Sequence, residues 1–225
     1  MTRCPLCKHP AMLFLQDKKR TFYDCQQCAF VFADPTDHRM AINPQQITSS
    51  KSYGRQQKMT QQRQASQFVL PLLAQLSDLT GANLVGLNFG SHLDSHTLDR
   101  VQASGHQLMQ FDPFNATEQT ALEQEYDFVC SYKVFERFKR PLTQWNLLSS
   151  LVKPHGWLAI GTALLTDKSH FAKWHHKNNP AHVSFYQHKT FEYLATQGQF
   201  KLLFAAKELV LMQKAANSGI KPILI

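Results

Sequence analysis

No run of apolar residues in this chain approaches the roughly 18 that a membrane-spanning helix needs, so a bilayer span is not expected. The opening MTRCPLCKHP has no apolar core of the secretory-signal kind, and the expectation is a soluble, cytoplasmic protein without a membrane partner. No internal repeat is visible, which removes solenoids and propellers from consideration. Acidic residues are the minority charge, 16 against 24 Lys and Arg, for a formal charge of +8. The imbalance is concentrated at the front: residues 1–60 carry nine basic and four acidic side chains, or +5 of the total. Such a front end permits an anionic partner such as nucleic acid, and it is equally the charge of an ordinary soluble surface. Apolar residues are not scarce. At 43% of 225 residues they can build one full domain with a small appendage, which excludes wholesale disorder.

Cysteine is sparse but placed. Four of the five cysteines form two Cys-x2-Cys turns, Cys4 with Cys7 and Cys25 with Cys28. Each such turn aims two thiolates at one point, and two turns supply the soft tetrahedral set of a zinc ion. The residues between them read as strand (Met12–Leu15), polar turn (Gln16–Arg20) and strand (Thr21–Tyr23), a hairpin that would bring the turns together. This is the pattern of a zinc ribbon. The alternatives are a disulfide pair or a redox motif, and the latter would need a strand–helix junction that is not here. Four thiolates leave no open coordination position, so the metal's expected role is structural. Cys130 lies in an apolar strand pattern and reads as a core thiol.

The expected organisation is a ribbon over residues 1–40, a helical linker or cap over 41–82 and an α/β domain over 83–225. Asp34-Pro35 and Asn43-Pro44 are turn signals near the first boundary. A helix is predicted over about 56–79, with Pro71 set to kink or divide it. From residue 83 short apolar strands alternate with helices: strand NLVGLNF, helix 95–104, strand HQLMQF, helix 116–124, strand YDFVCS, helix 142–152, turn KPHG and strand WLAIGT. That alternation argues a doubly wound, mostly parallel sheet. After a helix over 188–197, QFKLLFA and ELVLMQK read as paired strands that make the sheet edge antiparallel. The terminal IKPILI is apolar and fits either a last strand or a contact segment.

The stretch from Leu84 to Asn115 has the frame of a nucleotide-binding βαβ unit, but its loop GSHLDS carries one glycine where such loops carry two or three. Together with its surroundings it resembles the class I S-adenosylmethionine-dependent methyltransferases, and among them bacterial members with an N-terminal zinc ribbon. The family's LDFGCGPGP stands here as LNFGSHLDS, its YDPF as FDPF, its YDFITATEVVEH as YDFVCSYKVFER and its LLKPGGWLGIMT as SLVKPHGWLAIGT. The most specific match is WHHKNNPAHVSFY, residues 174–186, to the family's WHYKNDPTHVSFF. The resemblance spans nearly the whole chain and implies a Rossmann-like sheet of seven strands.

It also implies roles. Asn88, Gly90, Ser91, Asp112, Pro113 and Ser131 would line the S-adenosylmethionine site, with Asp112, 22 residues past Gly90, on the ribose hydroxyls. The other reading of Asp112 is a turn-forming residue before Pro113. His92 and Asp94 replace family glycines, Asn88 replaces an acid, and a left-handed backbone forced on such residues would cost about 1–2 kcal/mol each. Glu136 matches the family's Glu, while Arg137 replaces the His beside it and, always charged, cannot serve as a base. Glu136, Trp174, His175 and above all His182 would orient or deprotonate an acceptor. His182 is also readable as a packing residue at a strand start. The expected activity is methyl transfer to an unidentified acceptor. The alternative is an inactive relative that keeps the fold and ribbon to bind a protein or RNA.

Overall fold

The computed structural model describes residues 2–41, 51–116, 119–206 and 208–216. The segment 42–50, just past the boundary expected near residue 40, and the terminal IKPILI lie outside the described residues. At the front, strands β1 (Met12–Gln16), β2 (Thr21–Asp24) and β3 (Val31–Ala33) form an antiparallel meander. The two cysteine turns close its ends. The residue after each turn, Lys8 and Ala29, is left-handed at φ 65° and 54°, so the two turns share one geometry. The hairpin is as expected. The third strand was not foreseen.

Helix α1 (Lys51–Thr80) follows and runs through Pro71 without dividing, which corrects the expected break. A proline inside a helix costs about 3 kcal/mol. Here it faces solvent, and the opposite face buries Ala65, Val69, Leu73 and Leu76 against the sheet, which offsets that cost. The α/β part then runs β4 (Val85–Phe89), α2 (Ser95–Ala103), β5 (Gln107–Phe111), β6 (Tyr126–Tyr132), α3 (Pro141–Ser150) and β7 (Val152–Gly161). It continues through a four-residue turn of helix, α4 (His175–Asn178), then β8 (Ser184–Phe185), α5 (His188–Gly198), β9 (Phe200–Ala206) and β10 (Leu209–Lys214).

The main sheet has the order β5-β4-β6-β7-β10-β9. The pairs β4/β5, β4/β6 and β6/β7 are parallel, and β10 is antiparallel to both neighbours. The antiparallel edge is as expected. The strand count is not: six strands, rather than seven, are present among the described residues. The predicted helix over 116–124 is also absent as such. Its described part forms a 3-10 turn, Thr120–Leu122, because Ala116, Ala121 and Leu122 are the only apolar residues of the stretch and are too few and too small to make a buried helical face. The KPHG turn is part of β7, where extra residues bulge opposite Asp127 and His155 takes φ 63°.

A second sheet has the order β1-β2-β3-β8. Its last member comes from the segment 174–186, so the ribbon and the α/β part are hydrogen-bonded through β3 and β8. One apolar cluster continues from Cys4, Cys28, Phe30 and Phe32 of the ribbon to Phe89, Val129, Phe135 and Ile160 of the sheet. The described chain has no helix long and apolar enough to cross a membrane.

Candidate functional site

In an open α/β sheet the ligand crevice lies at the carboxyl ends of the strands, where successive crossovers diverge. Here that point is the end of β4, between β5 on one side and β6 on the other. A cleft of about 630 Å³ opens there, lined by Ser91 and His92 after β4, by Gln110, Phe111 and Asp112 of β5 and its exit, and by Lys58 and Gln61 from α1. The volume lies within the roughly 300–1,000 Å³ of small-ligand sites.

The loop after β4 is neither strained nor collapsed. None of Ser91, His92, Leu93 and Asp94 has a positive φ, which removes the expected cost of a left-handed backbone. The loop takes its own path. The Gly90 N–H donates to the Phe111 carbonyl at 2.8 Å, and a Cβ at Gly90 would come 3.0 Å from a Val134 methyl, a contact that the valine would have to yield to. The Asn88 amide donates to the Ser91 carbonyl, and the Leu93 N–H donates to the Gln110 side chain. Asp94 caps α2, accepting from the Thr97 N–H, and accepts from the Ser66 hydroxyl of α1. Those bonds hold its carboxyl below the usual range and fasten α1 over the cleft. His92 lines the cleft with its side chain exposed rather than filling it.

Of the six residues expected on the cofactor, Ser91 and Asp112 line the cleft. Asn88 and Gly90 hold the loop behind it. Pro113 is half-buried beside it, and the buried Ser131 hydroxyl has no partner and lies among the core of β6; neither lines the cleft. Asp112 accepts from the Phe114 N–H at 2.9 Å and the Asn115 amide at 2.8 Å, a turn-forming role that still leaves each carboxylate oxygen a lone pair.

The residues expected to act on an acceptor sit elsewhere, over the ends of β6 and β7. Glu136 is 6% exposed and turned inward, accepting from the Thr162 hydroxyl at 3.0 Å, and burial pushes its carboxyl up toward the neutral form. The Val183 N–H donates to the Glu136 carbonyl at 2.8 Å, which joins this turn to the segment 174–186. In that segment Trp174, His176 and His182 form a row of rings, with centroids 4.8 Å and 5.7 Å apart, and His175 lies on His176 at 4.1 Å. His182 is wedged between the His176 carbonyl at 3.1 Å and the Asn179 side chain at 3.1 Å, and burial lowers its pKa to about 4. None of these four expected residues lines the cleft.

Three side chains that the sequence did not single out fix this arrangement. The Arg20 guanidinium, from the ribbon turn, donates to the carbonyls of Lys177, Asn179 and His182 at 2.7, 3.1 and 2.6 Å. Lys177, 6% exposed, pairs with Asp17 at 2.6 Å and holds that carboxyl down at about 2. Thr162 supplies the hydroxyl on Glu136. A basic residue in a KKR turn carries no signal that its partners lie some 160 positions away.

Around the four ribbon cysteines the sulfur atoms all lie within 4.8 Å of one another, with Cys4 to Cys28 at 3.7 Å and Cys7 to Cys25 at 3.3 Å. A tetrahedron of thiolates on an ion at about 2.3 Å has edges of about 3.8 Å. The hydrogen bond between the Cys4 and Cys28 sulfurs lowers Cys4 to about 6, while burial pushes Cys7 up to about 12. That is the crowding a divalent cation would relieve, so the set fits a metal ion.

The comparisons with known proteins agree with this architecture. The chain superposes on a 1,6-didemethyltoxoflavin-N1-methyltransferase from Burkholderia thailandensis, solved with 1,6-didemethyltoxoflavin and S-adenosylhomocysteine, with a TM-score of 0.53 at 12% identity; the match covers 88% of this chain and 97% of that one. An O-methyltransferase family protein from the same organism superposes at 0.51 with 14% identity, over 72% of this chain and 60% of that one. These likenesses establish the fold. A search of curated proteins found no match. The family described as methyltransferase domain matches residues 27–203, from the second cysteine turn into β9. A match over that span, on a sheet of this order, places the chain in the methyltransferase-domain family.

Proposed function

We propose that the chain is an S-adenosylmethionine-dependent methyltransferase with an acceptor still to be identified, whose ribbon holds a structural zinc ion. The observation that carries it is the cleft at the diverging crossovers, with Asp112 at its edge and Gly90 at its back. When bound, S-adenosylmethionine supplies a sulfonium methyl group. The residues fit its adenosyl half: Asp112 accepts from ribose hydroxyls, and Phe111 and Ala121 offer apolar walls. At the amino-acid end Ser91 and His92 are the groups on offer, since Asn88 and Asp94 are engaged in the loop. Glu136, Thr162 and the ring row above β6 and β7 then form the acceptor side, where positioning dominates the rate.

Calorimetry on metal-loaded protein with S-adenosylmethionine and S-adenosylhomocysteine tests this. Micromolar affinity is expected, weakened about tenfold or more in Asp112→Ala through loss of charge-assisted hydrogen bonds. No binding at millimolar ligand in folded protein would overturn it. The absence of a free carboxylate at the amino-acid end favours the second reading, an inactive relative that binds a protein or RNA, and that result would select it.

A further inference from the structure

Arg137 is the residue this site leaves unused. It closes the 3-10 turn Phe135–Arg137 after β6, and its guanidinium carbon lies 3.8 Å from the centre of the Phe114 ring. Phe114 is 42% exposed and sits between the cleft-lining Asp112 and Asn115. The pair therefore bridges the exits of β5 and β6 at the rim of the cleft. The guanidinium is half-buried, yet among the described residues its side chain has no hydrogen-bond acceptor and no ion-pair partner. A half-buried cation without an acceptor is unusual, because desolvated N–H donors are costly to leave unmade.

Among the described residues the acids that act on it, Asp112 and Glu136, do so only through space, and neither forms an ion pair with it. Asp112 is bonded to the Phe114 N–H and the Asn115 amide. Glu136 points inward to Thr162, and burial favours its neutral form. The other charges near the turn are positive: Lys133 donates to Gln64, Lys139 reaches the His38 carbonyl, and Arg140 is exposed. The contact with the Phe114 face restrains the guanidinium without using any of its N–H donors, which suits it to bidentate pairing.

We propose that Arg137 determines acceptor specificity by binding a carboxylate or phosphate group of the methyl acceptor, so that the substrate class is an anionic small molecule. The inference rests on the methyltransferase reading above. A guanidinium, which stays charged, suits the position to recognition rather than proton transfer.

The test follows the arginine side-chain Nε–Hε signals of the full-length, metal-loaded protein by NMR, with S-adenosylhomocysteine bound. Inorganic phosphate and sodium acetate are titrated separately at constant ionic strength, and Arg137→Lys assigns the signal. The expected result is a saturable shift of Arg137 by at least one of the two anions, with Arg140 unmoved. In Arg137→Met, which keeps an apolar contact to Phe114 but has no donors, anion affinity falls about tenfold or more while S-adenosylhomocysteine affinity is kept. A static Arg137 signal, a linear drift shared with Arg140, or unchanged anion binding in Arg137→Met overturns the proposal. So does a shift seen without S-adenosylhomocysteine and abolished by it, because Arg137 would then serve the cofactor's own carboxylate. Failure of S-adenosylhomocysteine to bind the wild-type protein would instead overturn the methyltransferase reading.

Discussion

His182 shows how burial resets the chemistry of the group a sequence makes most suggestive. Its ring is held between a carbonyl and an asparagine, and its pKa falls to about 4. The folded state therefore takes up its proton less readily than the unfolded chain, whose value is near 6.5. The stabilisation is complete above about 6.5 and is lost as pH falls from there through about 4. Replacing His182 with Asn should flatten the dependence of the urea midpoint across that window; an unchanged slope would assign it to other groups. Arg20 is the opposite case, unremarkable in sequence and central in structure. Three carbonyls lose their donor in Arg20→Met, and hydrogen bonds to a charged group are each worth about 1.5–3 kcal/mol at most, so a loss of about 3 kcal/mol is expected in chemical denaturation. Lysine should restore only part of it, since a single compact ammonium cannot span acceptors that two guanidinium nitrogens reach. At Gly161 a methyl group would fall 2.3 Å from the Tyr132 ring, so Gly161→Ala should cost about 1–3 kcal/mol and lower the melting temperature.

Elements were legible where a period was long enough to read. The strands of the main sheet and helices α2, α3 and α5 fall within a few residues of their sequence boundaries, because alternation of apolar runs with 3.6-residue periodicity is a local property. Three local features were not legible for physical reasons. Strand β8 has two residues and exists only because β3 offers it an edge. The KPHG segment stays in β7 because the parallel neighbour β6 holds both ends of the bulge. Helix α1 survives Pro71 because its apolar face is buried. The link from α1 to the cofactor loop is the Ser66–Asp94–Thr97 set, so Asp94→Ala should cost about 1 kcal/mol as a lost helix cap. It should also raise protease sensitivity in α1, whereas a cap acting alone would leave α1 unaffected.

At the scale of the molecule the ribbon is a structural partner of the segment 174–186. Three links join them, the β3–β8 pairing, Arg20 on three carbonyls and Asp17 with Lys177, while Asp24 with Lys168, and Gln187 and Thr190 on the Ala29 carbonyl, tie the ribbon to the residues flanking that segment. Several lie next to cysteine turns. Metal stabilises such small units by on the order of 10–16 kcal/mol in isolated peptides. Removing the metal with a chelator should therefore raise hydrogen exchange in residues 174–186 together with the ribbon, and leave β4, β5 and β6 protected. Exchange confined to the ribbon would show that the links contribute little. Cobalt substitution should give the charge-transfer absorption of a tetrathiolate site, and loss of one cysteine should abolish it.

The sequence alone determined the cysteine spacing, the alternation that gives a doubly wound sheet, the antiparallel edge, and a resemblance that the family match bears out. These are properties of neighbouring residues, and neighbours are what a sequence displays. Only the tertiary structure decided what the replaced glycines cost, because left-handed strain depends on the path of the loop, and here Asp94 starts a helix instead. Only it showed that the histidine block faces the ribbon as well as the sheet, that Glu136 is buried on Thr162, and that Arg137 stands at the rim on the Phe114 ring with no acceptor among the described residues. Those facts depend on which distant carbonyl, hydroxyl or ring each side chain meets, and such meetings are set by packing across the fold rather than by order along the chain.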